Sequence, residues 1–236
     1  MTISWREIWN KKDRINKIIL DFIIKADGFD SGAGAFDVED WINYTKSLYD
    51  LIGIKSNYKV YEVGCGSGAF LFPLYLKGID VSGVDYSNQL IEIATKFLPE
   101  NSFSVDDAVN ISKIGKTYDV VLSHAVFFYF KNLEYAEKVF KNMVNISNNK
   151  IAILDVCDMD KFEKYHSKRI EKFIAEGFSK EEYEKKYEGL DHLFFEKKWF
   201  IELAKKYNLK INIMDQSYKN YGNSEFRFNV ILEKIS

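Results

Sequence analysis

The stretch Val60-Tyr-Glu-Val-Gly-Cys-Gly-Ser-Gly-Ala-Phe70 decides how this chain folds. An apolar, β-branched run ends at Val63, and three alternating glycines, Gly64, Gly66 and Gly68, follow it. Glycine permits positive φ and lets a ligand approach the backbone closely. The stretch therefore reads as a strand turning sharply into a helix whose first N–H groups lie free. Such a turn suits a nucleotide-like cofactor at the carboxyl ends of the strands. A turn that held no ligand would not need three glycines. Gly64-x-Gly66-x-x-Ala69 also satisfies the dinucleotide fingerprint, which alone is a weak signal. Glu62 weighs against that reading, because a carboxylate two residues before the first glycine would repel a pyrophosphate and attract an ammonium group.

Outward from this turn, the chain alternates strands and helices. Short apolar runs at Lys59–Val63, Asp80–Val84, Ser102–Val105, Asp119–Ser123 and Lys150–Val156 predict five strands. Helix-period segments separate several of them, among them Asn88–Leu98 and Leu133–Val144. That rhythm indicates a parallel sheet covered on both faces. It breaks after the fifth strand: Asp158–Leu193 is charged and helical in pattern. A helix over Phe195–Tyr207, a strand over Leu209–Met214 and a last strand over Glu225–Glu233 follow, with Phe226, Phe228, Val230 and Leu232 on one face of the last. Two strands joined by the short loop Gln216–Ser224 must be antiparallel, which is unexpected in a dinucleotide-binding fold.

Composition narrows the function. With 33 basic against 35 acidic residues and a net charge of −2, the chain lacks the basic excess of a nucleic-acid binder, so we expect a small acceptor and no nucleic acid. Its 47% hydrophobic content suffices for a sizeable core. Cys65 and Cys157 are too few for a disulfide framework, and His124, His166 and His192 have no metal-ligand spacing, so no metal is expected. Met1–Arg14 does not read as a signal peptide, and no apolar run is long enough to span a bilayer. The expectation is a cytoplasmic protein without a membrane partner; oligomeric state is not readable.

Glu62-x-Gly64-x-Gly66-x-Gly68 followed by Asp85 resembles motifs I and II of the class I S-adenosylmethionine-dependent methyltransferases. The resemblance covers roughly Trp41–Ile235 and implies a Rossmann-like α/β fold: a seven-stranded sheet with an antiparallel last strand and helices on both faces. We read residues 1–236 as one methyltransferase domain, with a helical N-terminal cap over 1–50 and a helical insert or lid over 157–194 after strand five. The resemblance implies S-adenosyl-L-methionine as cofactor. Gly64, Gly66 and Gly68 would pass under its methionine part, Asp85 would accept from both ribose hydroxyls, and Tyr86 would lie against the adenine. In Val105-Asp-Asp-Ala108, Asp107 with Ala108 would receive the adenine amino group.

The resemblance also puts the end of strand four, Ser123 and His124, at the transferable methyl, with Phe127, Phe128 and Tyr129 as walls. No Pro-Pro pair occurs anywhere, which weighs against amino methylation of DNA bases. His124 is either a general base for a hydroxyl acceptor or a wall beside an amine; both readings stay open, as do O- and N-methylation. His166 and His192 are expected in a lid. Tyr129, Tyr218, Tyr221 and Arg227 are candidate acceptor contacts. Arg227 would either hold a carboxylate or phosphate on the acceptor or stand in solvent at a sheet edge. A nicotinamide-dependent oxidoreductase and a non-catalytic cofactor binder remain as rival functions.

Overall fold

The computed structural model describes residues 5–99 and 102–235, with side chains from residue 13 onward. The side chains of Trp5, Glu7 and Trp9, and the ends of the expected domain at residues 1–4 and 236, lie outside the described residues.

Seven strands form one sheet: β1 (Lys59–Val63), β2 (Asp80–Asp85), β3 (Phe103–Val105), β4 (Tyr118–His124), β5 (Ser147–Cys157), β6 (Leu209–Asp215) and β7 (Arg227–Lys234). Their order is β3-β2-β1-β4-β5-β7-β6. β1 to β5 pair in parallel, whereas β7 runs antiparallel to both β5 and β6. The order reverses between β1 and β4, where open α/β sheets leave a crevice beyond the strand ends.

Strand alternation sends successive residues to opposite faces. Val60, Val81, Val120, Leu122 and Leu154 pack under α1 (Trp5–Ala26), α2 (Val38–Ile52), α3 (Phe72–Leu76) and α4 (Asn88–Phe97). Tyr61, Val63, Val121, Ile153 and Val230 pack under α5 (Leu133–Ile146) and α8 (Lys197–Lys206). The insert forms α6 (Phe162–Ala175) and α7 (Lys180–Tyr187). It closes over a third cluster that joins Phe128, Cys157, Tyr165, Phe194 and Phe226. Among the described residues no helix is long and apolar enough to cross a membrane.

Two local expectations are corrected. The helix after the glycine turn is only Phe72–Leu76, with Pro73 in its first turn, so its N-terminus stands clear of the glycines, and the amides of the turn are taken up by Val84, Asp85, Asp27 and Cys65. The last strand starts at Arg227, not Glu225. Ser224–Phe226 is a tight 3₁₀ turn, which takes Phe226 out of the β7 row and into the third cluster.

Phe228 is fully buried in the second cluster, edge-on to Phe200 at 5.7 Å. Phe228→Ala is expected to destabilise the fold by about 3–5 kcal/mol, read as a lower urea midpoint with an unchanged slope.

Candidate active site

The crevice holds one cavity of about 820 Å³ that runs from the glycine turn to the insert. At its first end, the amides of Gly64 and Cys65 donate to the Val84 carbonyl, which ties the turn to the end of β2. Gly64 (φ 76°) and Gly66 (φ 53°) line the cavity. A Cβ on Gly64 would lie 2.5 Å from Val126 Cγ2, and one on Gly66 would lie 2.8 Å from Asp27 Cγ. Gly68 is outside the lining; a Cβ there would strike Leu98, so this glycine serves close packing of the turn against α4.

Asp85 is buried at the lip of the turn. Its Oδ2 accepts from the Gly66 amide at 3.0 Å and its Oδ1 from the Ser87 amide at 2.8 Å. Tyr86 stands exposed at the rim, where Asp106, Asp107 and Ala108 also lie. Asp107 caps the following 3₁₀ turn, accepting from the Val109 amide at 2.9 Å and from the Tyr135 hydroxyl. Asp106 accepts from Asn110 Nδ2 at 2.7 Å.

Three carboxyl groups meet here. Glu62, on β1, is buried, and its Oε2 has no hydrogen-bond partner. Asp27, just past α1, accepts from the Ser67 amide at 2.6 Å. Burial, with Asp27 and Asp85 as neighbours, pushes Glu62 well above the usual carboxylate range. Burial likewise raises Asp27 to about 7, against the hydrogen bond from Ser67. No basic side chain pairs with these acids among the described residues, so this end of the cavity favours a cation.

The middle of the cavity is aromatic. His124, at the end of β4, stacks on Phe70 with ring centres 4.6 Å apart and 20° between planes. Its Nε2 lies 3.1 Å from the Tyr44 hydroxyl of α2. Burial lowers its pKa to about 4, so the ring is neutral at pH 7. Trp41 donates from Nε1 to the Ala69 carbonyl at 3.0 Å, pinning the N-terminal cap to the glycine turn. Ser123 does not join His124 in the wall. Alternation along β4 turns it to the opposite face, where its hydroxyl donates to the Val63 carbonyl at 2.8 Å.

The far end is built from β5, β7 and the insert. Asp155 sits where the β5–β7 register shifts between Ile153 and Val156, with φ 59°. It accepts from Gln216 Nε2 at 3.0 Å and from the Tyr221 hydroxyl at 2.8 Å. Arg227 is only 3% exposed and borders the cavity, which excludes the solvent-edge reading. Tyr129 and Tyr221 also reach the cavity, whereas Tyr218 does not: its hydroxyl donates to the Asp40 carbonyl at 3.0 Å. His192 lies in the wall beside Phe128, with burial and the Arg227 charge holding its pKa down to about 4. His166, on α6, is not in the lining.

Sequence reasoning missed Asp27 and Asp155, and it placed His192 in a lid without foreseeing that it lines the cavity. Asp155 left a trace, a single carboxylate inside the otherwise apolar run Ile151–Val156. Asp27 left none, since only tertiary folding carries it to the cavity.

A Rossmann-like sheet with an antiparallel last strand and a glycine turn over a cofactor-sized cavity defines the class. Residues 60–149 match the family described as a methyltransferase domain. The chain is 28% identical over 137 residues to the ubiquinone biosynthesis O-methyltransferase of Rickettsia prowazekii, which covers 54% of each protein. It thus spans about half the length of the curated relatives it matches. The fold is similar to magnesium protoporphyrin IX methyltransferase from Synechocystis solved with bound SAM: TM-score 0.58 at 14% identity, over 93% of this chain and 97% of that one. It is also similar to DesVI from Streptomyces venezuelae, with TM-score 0.61 at 11% identity, over 92% and 98%. Residues 60–149 are thus similar to a methyltransferase domain, carried on a fold shared with these solved structures.

Because Asp27 holds its proton to about pH 7 when folded, against an ordinary value of 3.8, the folded state binds more protons between those limits. Its contribution therefore weakens stability as pH rises through that window. Asp27→Asn keeps an acceptor for the Ser67 amide, and should gain about 2–4 kcal/mol relative to wild type on going from pH 4 to pH 8. Urea unfolding at both pH values checks it; a gain independent of pH would show that Asp27 is ionised throughout.

Proposed function

We propose that this chain is an enzyme that transfers a methyl group from S-adenosylmethionine to a hydroxyl of a small-molecule acceptor. The observation that carries this reading is the continuous cavity that joins an acid-lined glycine turn to an aromatic middle and a far end beneath the insert. The residues fit the cofactor. Glu62, with its unpartnered oxygen, and Asp27 suit a methionine ammonium group, and the bare backbone at Gly64 and Gly66 allows close approach. Asp85 keeps free lone pairs beside its two amide bonds, enough for ribose hydroxyls. Tyr86, Asp107 and Ala108 stand on the rim where an adenine would lie. A dinucleotide pyrophosphate would meet three carboxyl groups, which opposes the oxidoreductase reading. The O-methyltransferase names of the similar proteins support a hydroxyl acceptor over an amine. The two free, buried cysteines suit a reducing cytoplasm.

When bound, the cofactor supplies a sulfonium-activated methyl carbon for an in-line displacement that needs no covalent enzyme intermediate. The protein supplies alignment and a dry site. The N-terminal cap and the insert line the cavity, and the rings of Phe70 and Trp41 fix the plane of His124. The Tyr44 hydroxyl donates to Gln216 Oε1 at 3.4 Å and so accepts from Nε2–H, the tautomer that leaves the Nδ1 lone pair to take the proton of the acceptor hydroxyl. His124 is neutral above about pH 4 and so is ready to accept a proton.

Calorimetric titration with S-adenosylmethionine and S-adenosylhomocysteine is the first test, and failure of both to bind would sink the proposal. Incubation of a metabolite pool with methyl-labelled cofactor, followed by mass spectrometry, then separates turnover from binding alone. Asp85→Ala should weaken S-adenosylhomocysteine binding by about 1.5–3 kcal/mol, and unchanged affinity in the folded variant would displace the ribose from this residue. His124→Ala should lower turnover by roughly 10²–10⁴-fold with cofactor affinity retained. Since His124 is protonated only as pH falls through about 4, wild-type turnover should hold from pH 7 to pH 5, without a limb at the ordinary imidazole pKa. Near-normal turnover of His124→Ala would make the ring a wall and point to an amine acceptor.

A further inference from the structure

Arg227 carries more donor capacity than its surroundings absorb. Its guanidinium lies over the faces of Phe128 at 4.8 Å and Tyr165 at 5.5 Å. One Nη donates to the thiol of Cys157. Nε is 3.6 Å from Asp155 Oδ2, beyond hydrogen-bond reach, and has no hydrogen-bond partner although it is buried. Asp155 meanwhile receives the two neutral donors of Gln216 and Tyr221. Asp155 therefore balances the charge of Arg227 without using its planar fork. Arg169 of the insert adds a second guanidinium over the other ring edge of this corner, 5.4 Å from Tyr165. His192, the remaining titratable wall group beside Phe128, adds no charge at pH 7.

The cavity is thus polar end to end, acidic at the glycine turn and basic beneath the insert, with aromatic faces between. We propose that Arg227 anchors a carboxylate on a flat acceptor that lies in the cavity among the wall residues Phe128, Tyr129 and His192, so that the substrates are aromatic or otherwise planar monoacids. A carboxylate matches the guanidinium fork in two parallel bonds. A phosphate dianion does not match, because Asp155 already offsets part of the positive charge and would repel the second negative charge. The inference rests on the methyltransferase reading for what the acid is used for, but the anchor itself is testable without turnover.

Benzoate and benzamide share a shape and differ in charge, and they serve as probes of the full-length protein saturated with S-adenosylhomocysteine. Calorimetry is expected to show benzoate binding at least tenfold tighter than benzamide. In wild-type protein, the Arg227 Nε–H signal in nitrogen-15 spectra should shift on adding benzoate and stay in place with benzamide. Arg227→Gln should erase the preference. Because that variant leaves Asp155 unpaired and risks unfolding, Asp155→Asn combined with Arg227→Gln provides a neutral replacement for the pair, with the same loss expected. Equal affinities for the two probes, no saturable binding of either, or an unmoved Nε–H signal would overturn the anchor while leaving cofactor binding, and with it the proposed activity, intact. Failure of S-adenosylhomocysteine to bind would instead strike the proposed activity, and benzoate preference in the cofactor-free protein would still decide the anchor.

Discussion

The carboxylate of Asp85 ties together the two loops that make this site. One oxygen holds the Gly66 amide of the turn after β1, and the other holds the Ser87 amide that opens α4. Both loops end parallel strands whose register is set deeper in the sheet, with Val63 opposite Val84. A buried carboxylate with charge-assisted bonds to two amides is a strong restraint. The shape of the cavity at this end follows from it, since this bond, with those of Gly64 and Cys65 to Val84, fastens the glycine turn to the end of β2.

The same restraint explains why the acids around it go without cationic partners. Neutralising Glu62 or Asp27 with a lysine would satisfy the protein and block the ligand. Instead, burial raises both acids above the usual carboxylate range, and the site keeps an affinity for positive charge that a partner must bring. At the opposite end the logic is reversed, with a guanidinium that the protein balances in charge but leaves short of acceptors.

The fold was largely legible in the sequence because its signals are local. Each expected strand forms within a few residues of its apolar run, and the antiparallel ending follows from the short loop after β6. The glycine turn and Asp85 were legible because turn chemistry and strand ends are written in neighbouring residues. What escaped has a tertiary cause. Ser123 and His124 are adjacent in sequence but face opposite sides of the sheet, and parity at the end of a strand depends on register. Asp155 owes its place to a bulge, Tyr218 is drawn off by Asp40 of α2, and Asp27 arrives because α1 packs across the turn. Arg227 could be read as anchor or as surface charge until the insert was seen to cover it.

Asp155 also bears on how this protein can change. Its left-handed backbone at φ 59° is a conformation that glycine adopts without penalty and that a side chain occupies at a cost. Replacement by glycine would relax the bulge and at the same time strip Gln216, Tyr221 and Arg227 of their common counter-group. At this one position, durability and recognition pull in the same direction, against the strain of the backbone. Lineages or designs selected only for heat resistance would therefore keep the aspartate, because a buried guanidinium stripped of its counter-charge costs more than the left-handed backbone saves.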